Sequence, residues 1–255
     1  MSLPVHLVPT LAGVGAGGTV TVEGNEAHHA VAVRRLRVGE QVVLTDGAGA
    51  RVVAEVAGTG KRTFDAVVVS REDLDRPDPE LVVVQALPKG DRGELAVEVL
   101  TEVGAARVVP WAAERSVAVW RGERAVKSLA RWRATAREAA KQARRPWHPE
   151  VDELARTERV VELVATADLA VVLHEDATEA LADLDVPASG TLVVVVGPEG
   201  GLTDDEVAAL VSAGARSVRL GAEVLRTSTA GVVACAALLA RTPRWRRDDA
   251  SGQPR

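Results

Sequence analysis

Thr191-Leu192-Val193-Val194-Val195-Val196-Gly197-Pro198-Glu199-Gly200-Gly201 decides the reading of this chain. The six-residue apolar run is the pattern of a strand buried on both faces. The Gly-Pro-Glu-Gly-Gly segment that follows is a sharp turn with little side-chain bulk. Thr203 stands three residues before Glu206, a capping-box spacing that predicts a helix from Asp204 to Ala213, stopped by Gly214. A second strand over Ser217–Leu220 leads into Gly221-Ala222-Glu223-Val224-Leu225-Arg226-Thr227-Ser228-Thr229. A small-residue helix, Ala230 to Ala240, closes the unit. Two glycine-bearing loops thus leave the same ends of neighbouring strands, which is where ligands bind in an open α/β sheet.

Such loops let a ligand approach the backbone, whose N–H and C=O groups can read an adenine edge or a ribose. No Gly-Lys-Ser/Thr follows the glycines, so the stretch is not a P-loop, and the G-x-G-x-x-G spacing is absent as well. A single loop of this kind is equally a tight strand-to-helix turn; two in tandem point to a ligand.

Gly197-Pro198-Glu199-Gly200-Gly201, Leu220-Gly221 and Leu225-Arg226-Thr227-Ser228-Thr229-Ala230 resemble the cofactor loops of the SPOUT methyltransferases. Within them the match is to the RsmE family, which methylates N3 of a uridine in 16S ribosomal RNA. The resemblance covers nearly the whole chain. It takes in Lys89-Gly90, Thr101-Glu102-Val103-Gly104, Pro110, Glu114-Arg115-Ser116, and Glu138 to Arg145 with Pro149. One departure stands out: Ser228 occupies a position where the family carries Glu. The resemblance implies S-adenosylmethionine as cofactor, 16S rRNA of the small ribosomal subunit as partner, a homodimer, and a C-terminal trefoil knot. None of these follows from periodicity or spacing, and base rates run against any knot. Cofactor contacts are expected at Leu173, His174, Gly197, Glu199, Gly200, Leu220, Gly221, Leu225, Arg226 and Thr229. RNA contacts are expected at Arg35, Lys89, Arg92, Arg115, Arg131 and Arg145.

Composition, with its single cysteine, reads as that of a protein of the reducing cytoplasm. The 255 residues are 47% hydrophobic, rich in Ala and Val, with one Phe and no Tyr. No apolar run approaches the roughly 18 residues that cross a bilayer, and no basic-then-apolar leader opens the chain. A single cysteine excludes an internal disulfide. It lies at Cys235 in an Ala-Leu-rich helix and is expected in the core, which disfavours carbon methylation through a thiol. His28 and His29 lack partners at metal-ligand spacing, so no metal is expected. The net charge is −5, yet Arg115 to Arg145 hold ten Lys/Arg against Glu123 and Glu138. A local basic surface suffices for phosphate contact.

Residues 1–72 read as short strands (Val5–Val8, Thr19–Val22, Gln41–Leu44, Arg51–Val56, Phe64–Val69) with one helix, Glu26 to Leu36, capped by Asn25. That is a small β-barrel, and the resemblance makes it PUA-like and RNA-binding. Within it His29 to Gly39 matches the family, with Arg35 on the family's Arg. The charged, Pro-bearing stretch that ends at Glu80 is the linker, assigned to residues 73–80. Residues 81–245 alternate strands and helices, predicting a mainly parallel sheet, an α/β fold. Its longest helix, Arg124 to Arg145, places Leu129, Trp132, Ala136, Ala139, Ala140 and Ala143 on one face and its Arg and Lys residues on the other. Arg with Trp is a combination that grips phosphates and stacks bases. The closing tail, from Arg244 and in particular 246–255, is expected to fray.

For the chemistry, uracil N3 is protonated at neutral pH, so a cation near the base oxygens is needed to favour the anion. Arg226 is the first candidate, with Arg145 and Lys89 as alternatives. Two other readings compete: a non-catalytic RNA-binding or ribosome-assembly protein of the same fold, favoured by Ser228, and a mononucleotide-binding enzyme, disfavoured by the missing Lys/Ser/Thr set.

Overall fold

The structure, a computed structural model, describes residues 3–246. The chain divides into two compact units, one made of the residues up to Arg76 with Ala140–His148, the other of Pro77–Ala139 with the described residues from Pro149 onward.

The first unit contains β1 (Val5–Leu7), β2 (Thr19–Glu23), α1 (Gly24–His28), β3 (Gln41–Thr45), β4 (Ala50–Thr59) and β5 (Thr63–Asp73). The strands form one sheet in the order β1-β3-β4-β5-β2, antiparallel except for β1 on β3. Alternation in β4 sends Val52, Ala54 and Val56 inward onto Phe64, Leu44 and Leu11, which gives this unit its own core. Between β3 and β4, Asp46 Oδ1 accepts from the N–H groups of Ala48 and Ala50, an Asx turn that uses Gly47 and Gly49 at positive φ.

The expected helix from Glu26 to Leu36 is shorter and of two kinds. An α-helical turn ends at His28, and a π-helical turn takes over from His29 to Val33. The wider turn and Arg35 at φ 58° swing Leu36 into the core, where it is buried. Asn25 is not the cap. It lies within the helix, and its Oδ1 accepts from Arg62.

In the second unit the elements are β6 (Glu80–Ala86), α2 (Arg92–Val103), β7 (Arg107–Trp111), α3 (Gly122–Gln142), β8 (Glu150–Val151), α4 (Thr157–Ala165), β9 (Leu169–Leu173), β10 (Glu179–Ala180), β11 (Thr191–Val196), α5 (Asp204–Ser212), β12 (Arg216–Arg219) and α6 (Thr227–Leu239), with the end of α3 belonging to the first unit. The sheet is parallel throughout, in the order β10-β12-β9-β11-β6-β7-β8. Its central strands are apolar on both sides because both sides are covered. Val194 and Val196 pack with residues of α2, α3 and α6, while Val193 and Val195 pack with residues of α4 and α5.

Helix ends follow local chemistry. Thr203 and Glu206 form the reciprocal capping box, and Gly104 ends α2 at φ 109°. The expected extension of α3 to Arg145 does not occur. Arg145 N–H donates to Ala140 O and Arg144 N–H to Lys141 O, a Schellman closure with Arg144 at φ 54°. Ala143 is consequently exposed, whereas Leu129, Trp132, Ala136, Ala139 and Ala140 are buried. Trp132 packs edge-on to Trp120 and closely against Gly93, whose Cβ would lie 2.8 Å from the indole nitrogen. The stretch before β6 is also tighter than expected, since β5 runs on to Asp73 and β6 begins at Glu80.

The tail is ordered further than expected. Arg244 sits in a short 3-10 turn and its guanidinium donates to Pro79 O (3.1 Å) and Gly104 O (2.6 Å). Of the expected tail, residues 247–255 lie outside the described residues. No helix among those described is long and apolar enough to cross a membrane.

Candidate active site

The parallel sheet changes direction beside β11. The chain leaves β11 through α5 to β12 on the far side of β9, while β6 on the other flank leads to β7. The C-terminal ends of β6, β9, β11 and β12 therefore surround one crevice, the position where open α/β sheets bind ligands. A cavity of about 880 Å³ lies there.

Of the residues named from sequence, the cavity gathers Leu173, His174, Gly197, Glu199, Gly200, Leu220, Gly221, Leu225 and Arg226, together with Lys89, Arg92 and Arg115. Thr229 is not among the lining residues. Its hydroxyl donates back to Arg226 O in the first turn of α6. Arg35 and Arg145 belong to the first unit. Arg131 lies on α3, exposed, and pairs with Glu94 at 3.3 Å. Pairing is general along α3: Lys127 meets Glu123, Arg133 meets Glu153, and Lys141 meets Glu26. Its basic face is thus less free than the composition suggests.

Each loop is held by a specific bond. Glu199 Oε1 accepts from Lys89 N–H at 3.1 Å, tying the loop after β11 to the loop after β6. Arg115 Nη1 donates to Leu202 O at 3.2 Å and braces the glycine turn from below. The reason for glycine at 200 is the same neighbour, since a Cβ there would come 2.9 Å from Arg115 O. His174 Nδ1 accepts from Asp176 N–H, which leaves the proton on Nε2.

The helix α6 begins at Thr227, three residues earlier than expected. Arg226 is consequently its N-cap residue; its carbonyl accepts from Thr229 and Ala230 while its side chain is exposed at the cavity. Ser228 is buried in the first turn. Sequence reasoning passed over Gln85, a lone polar residue at the end of an apolar strand. Its Nε2 donates to Ala86 O and Thr227 O, which locks β6 to the start of α6. It also passed over Arg219 and Glu223, which flank Leu220-Gly221 in the cavity wall. Cys235 is fully buried in α6, and burial pushes its thiol up to about 12, so it is no nucleophile. No cluster of His, Cys, Asp or Glu among the described residues could hold a metal.

The cavity wall mixes four leucines with five basic side chains (Lys89, Arg92, Arg115, Arg219, Arg226) and five acidic ones (Glu175, Asp176, Glu199, Asp204, Glu223). A site for a bare polyphosphate would be predominantly basic. This balance instead suits a ligand with an apolar ring and charges of both signs.

Comparison with known proteins defines the class first. A family model described as an RNA methyltransferase domain matches residues 76–239, and one described as an RNA methyltransferase PUA domain matches residues 22–69. The chain is 49% identical over 235 residues to ribosomal RNA small subunit methyltransferase E of Mycobacterium bovis, covering 90% of this chain and 89% of that one. The Bacillus subtilis protein of the same name is 31% identical, with 90% and 93% covered. Accordingly, the chain belongs to the ribosomal RNA small subunit methyltransferase E (RsmE) family, of the SPOUT class. Among solved structures, the Neisseria gonorrhoeae member bound to S-adenosyl methionine superposes with a TM-score of 0.83 at 28% identity, covering 94% and 98% of the two chains. A Legionella pneumophila methyltransferase in complex with the same cofactor gives 0.85 at 25% identity, covering 95% and 99%.

Proposed function

We propose that this protein transfers a methyl group from S-adenosylmethionine to N3 of a uridine in 16S rRNA of the small ribosomal subunit. The observation that carries the reading is the cavity at the ends of β6, β9, β11 and β12, walled by leucines and glycine-bearing loops and balanced in charge. Its volume is within the range of small-molecule sites, roughly 300–1,000 Å³.

When bound, S-adenosylmethionine supplies an electrophilic methyl group on a sulfonium. The chain's own task is positioning. Backbone around Leu173, Gly197, Gly200, Leu220 and Leu225 encloses the adenosine. Arg226 stabilises the negative charge that collects on the uracil oxygens as N3 gives up its proton to solvent, a task for a positioned cation. Ser228 cannot act as a base, and nitrogen rather than carbon chemistry fits the inert Cys235.

A second copy of the chain completes the assembly. Helix α6 is apolar on every side, yet Val233 remains 43% exposed and Ala237 is exposed too. A helix of that composition is normally covered all round. An rRNA substrate implies a cytoplasmic protein.

The alternative, a non-catalytic RNA-binding protein of the same fold, draws on Ser228. Calorimetric titration with S-adenosylmethionine separates the two, because a dead site has no reason to keep the cofactor. Mapping of modified nucleotides in rRNA from cells lacking the protein tests the whole reading. Loss of one N3-methyluridine is expected; an unchanged modification pattern overturns it.

A further inference from the structure

Between Leu81 and Leu87 the only polar side chain is that of Gln85, which is 1% exposed. Register sets it beside Val196, the last residue of β11, which lines the cavity although Gln85 does not. Its amide has one workable orientation. Nε2 donates to Ala86 O at 3.1 Å and to Thr227 O at 3.2 Å, so turning the amide over would set oxygen against two carbonyls. That leaves Oε1 buried and without a partner among the described residues. A bare buried acceptor is a standing cost, and a methionine would fill similar space without one. The two donated bonds are what the amide provides there and a methionine cannot. Gly231 keeps α6 close enough for them, since a Cβ there would press Val196 Cγ2 at 3.2 Å and lie 3.7 Å from Gln85 Oε1.

We infer that Gln85 is a positioning residue for methyl transfer, acting through Arg226. Thr227 is the first residue of α6, and Arg226 stands directly before it with its side chain at the cavity. Among the described residues the Arg226 side chain makes no hydrogen bond or ion pair. Its aim therefore comes from the backbone that carries it. The bond from Gln85 ties that backbone to the end of β6, an interior strand of the sheet. It fixes where the loop after β12 stops and the helix begins. A loop end free to shift by about 1 Å carries the guanidinium with it, and misplacement on that scale can cost roughly 10²-fold in rate. The inference rests on the proposal that Arg226 stabilises the uridine anion.

The test is a double-mutant cycle in the full chain, read as single-turnover methyl transfer to small ribosomal subunits from cells lacking the protein. Gln85→Met keeps the bulk and removes both donors. It should melt like the parent, bind S-adenosylmethionine with unchanged affinity in calorimetry, and transfer methyl about tenfold more slowly. As with Arg226→Ala, the deficit should shrink as pH rises, which a general loosening of the fold would not produce. Added to Arg226→Ala, the same change should lower the rate no further, because residues that act as a unit are not additive. A second tenfold loss in that background overturns the inference. So does cofactor affinity that falls in step with the rate, which would make Gln85 a support of the adenosine pocket. Should Gln85→Met fail to fold, Gln85→Glu reads the same contact. Its ionised carboxylate cannot donate to Thr227 O but its protonated form can, so its rate relative to the parent should recover as pH falls; a deficit independent of pH overturns the inference. Slow Arg226→Ala with normal Gln85→Met removes only Gln85. A normal rate in Arg226→Ala removes the reading of Arg226, and Gln85 with it.

Discussion

A cation at the N-cap of a helix opposes the macrodipole, and Arg226 holds that place without any side-chain capping bond. The helix does not need the guanidinium, because the Arg226 carbonyl alone accepts from Thr229 and Ala230. Arg226→Ala should therefore leave α6 intact and lower single-turnover methyl transfer by about 10²–10³, the cost of one preorganised electrostatic group. Cofactor affinity should hardly change, and higher pH should partly restore the rate by supplying the uridine anion. A normal rate with weak RNA binding would move Arg226 from chemistry to positioning. The glycines divide by a similar argument. Gly200 faces Arg115 backbone, so Gly200→Ala should lower the melting temperature. A Cβ at Gly221 meets nothing nearer than the mobile end of Glu223 at 3.5 Å. Gly221→Val should thus melt like the parent and lose cofactor in calorimetry; retained binding would take this loop out of the site. The need for glycine at 200 was legible from the tight turn, but not its cause, since Arg115 lies far away in sequence.

At the level of elements, the N-terminus of α5 does two jobs through one side chain. Glu206, 4% exposed, accepts from the N–H and hydroxyl of Thr203 and also from Glu114 N–H at 2.9 Å. Removing the cap alone, Thr203→Ala, should cost about 1 kcal/mol. Glu206→Ala also removes the charged acceptor of the Glu114 N–H and should cost roughly 1.5–3 kcal/mol, the scale for a hydrogen bond to a charged group. Because Arg115 follows Glu114 and supports Gly200, only Glu206→Ala should also weaken cofactor binding. Urea unfolding and calorimetry on both variants check this; equal loss of affinity in the two would break the link. The capping box was plain in the sequence because both partners are local. Its bond to Glu114 was not, being 92 residues away. The same limit explains α3. An apolar stripe running on to Ala143 predicts helix, and nothing nearby announces a non-glycine left-handed residue at Arg144.

Across the whole molecule, the alternation of strands and helices from residue 81 foretold a parallel sheet, and the short early strands a separate β unit. What local pattern could not show is that the first unit is completed by Ala140–His148. That segment supplies backbone bonds from Gly49 to Pro146 O and from His148 to Gly47 O, and Trp147 donates to Leu74 O. It also supplies Lys141, which with His6 grips Glu26. Burial pushes the Glu26 carboxyl up, but the hydrogen bonds and charges of His6 and Lys141 outweigh it and bring the group down to about 2. A depressed carboxylate stabilises the fold above its ordinary value of 4.5, and that stability is lost as pH falls through about 2. Residues 1–76 produced alone should be markedly less stable than the same piece joined to 140–148. In the full chain, Glu26→Gln should flatten the loss of stability across that acid range. Acid titrations followed by circular dichroism test both; an isolated piece as stable as the joined one would show the return segment to be dispensable.

The grip of Arg244 on Pro79 O and Gly104 O has a further consequence. It fastens Arg244 to the carbonyl just before β6 and to the glycine that ends α2, three stretches far apart in sequence. One planar fork with several donors can hold two carbonyls at once, which a lysine's point charge would do less well. The guanidinium works as a clasp: cut it, and three lengths of chain are loosened together.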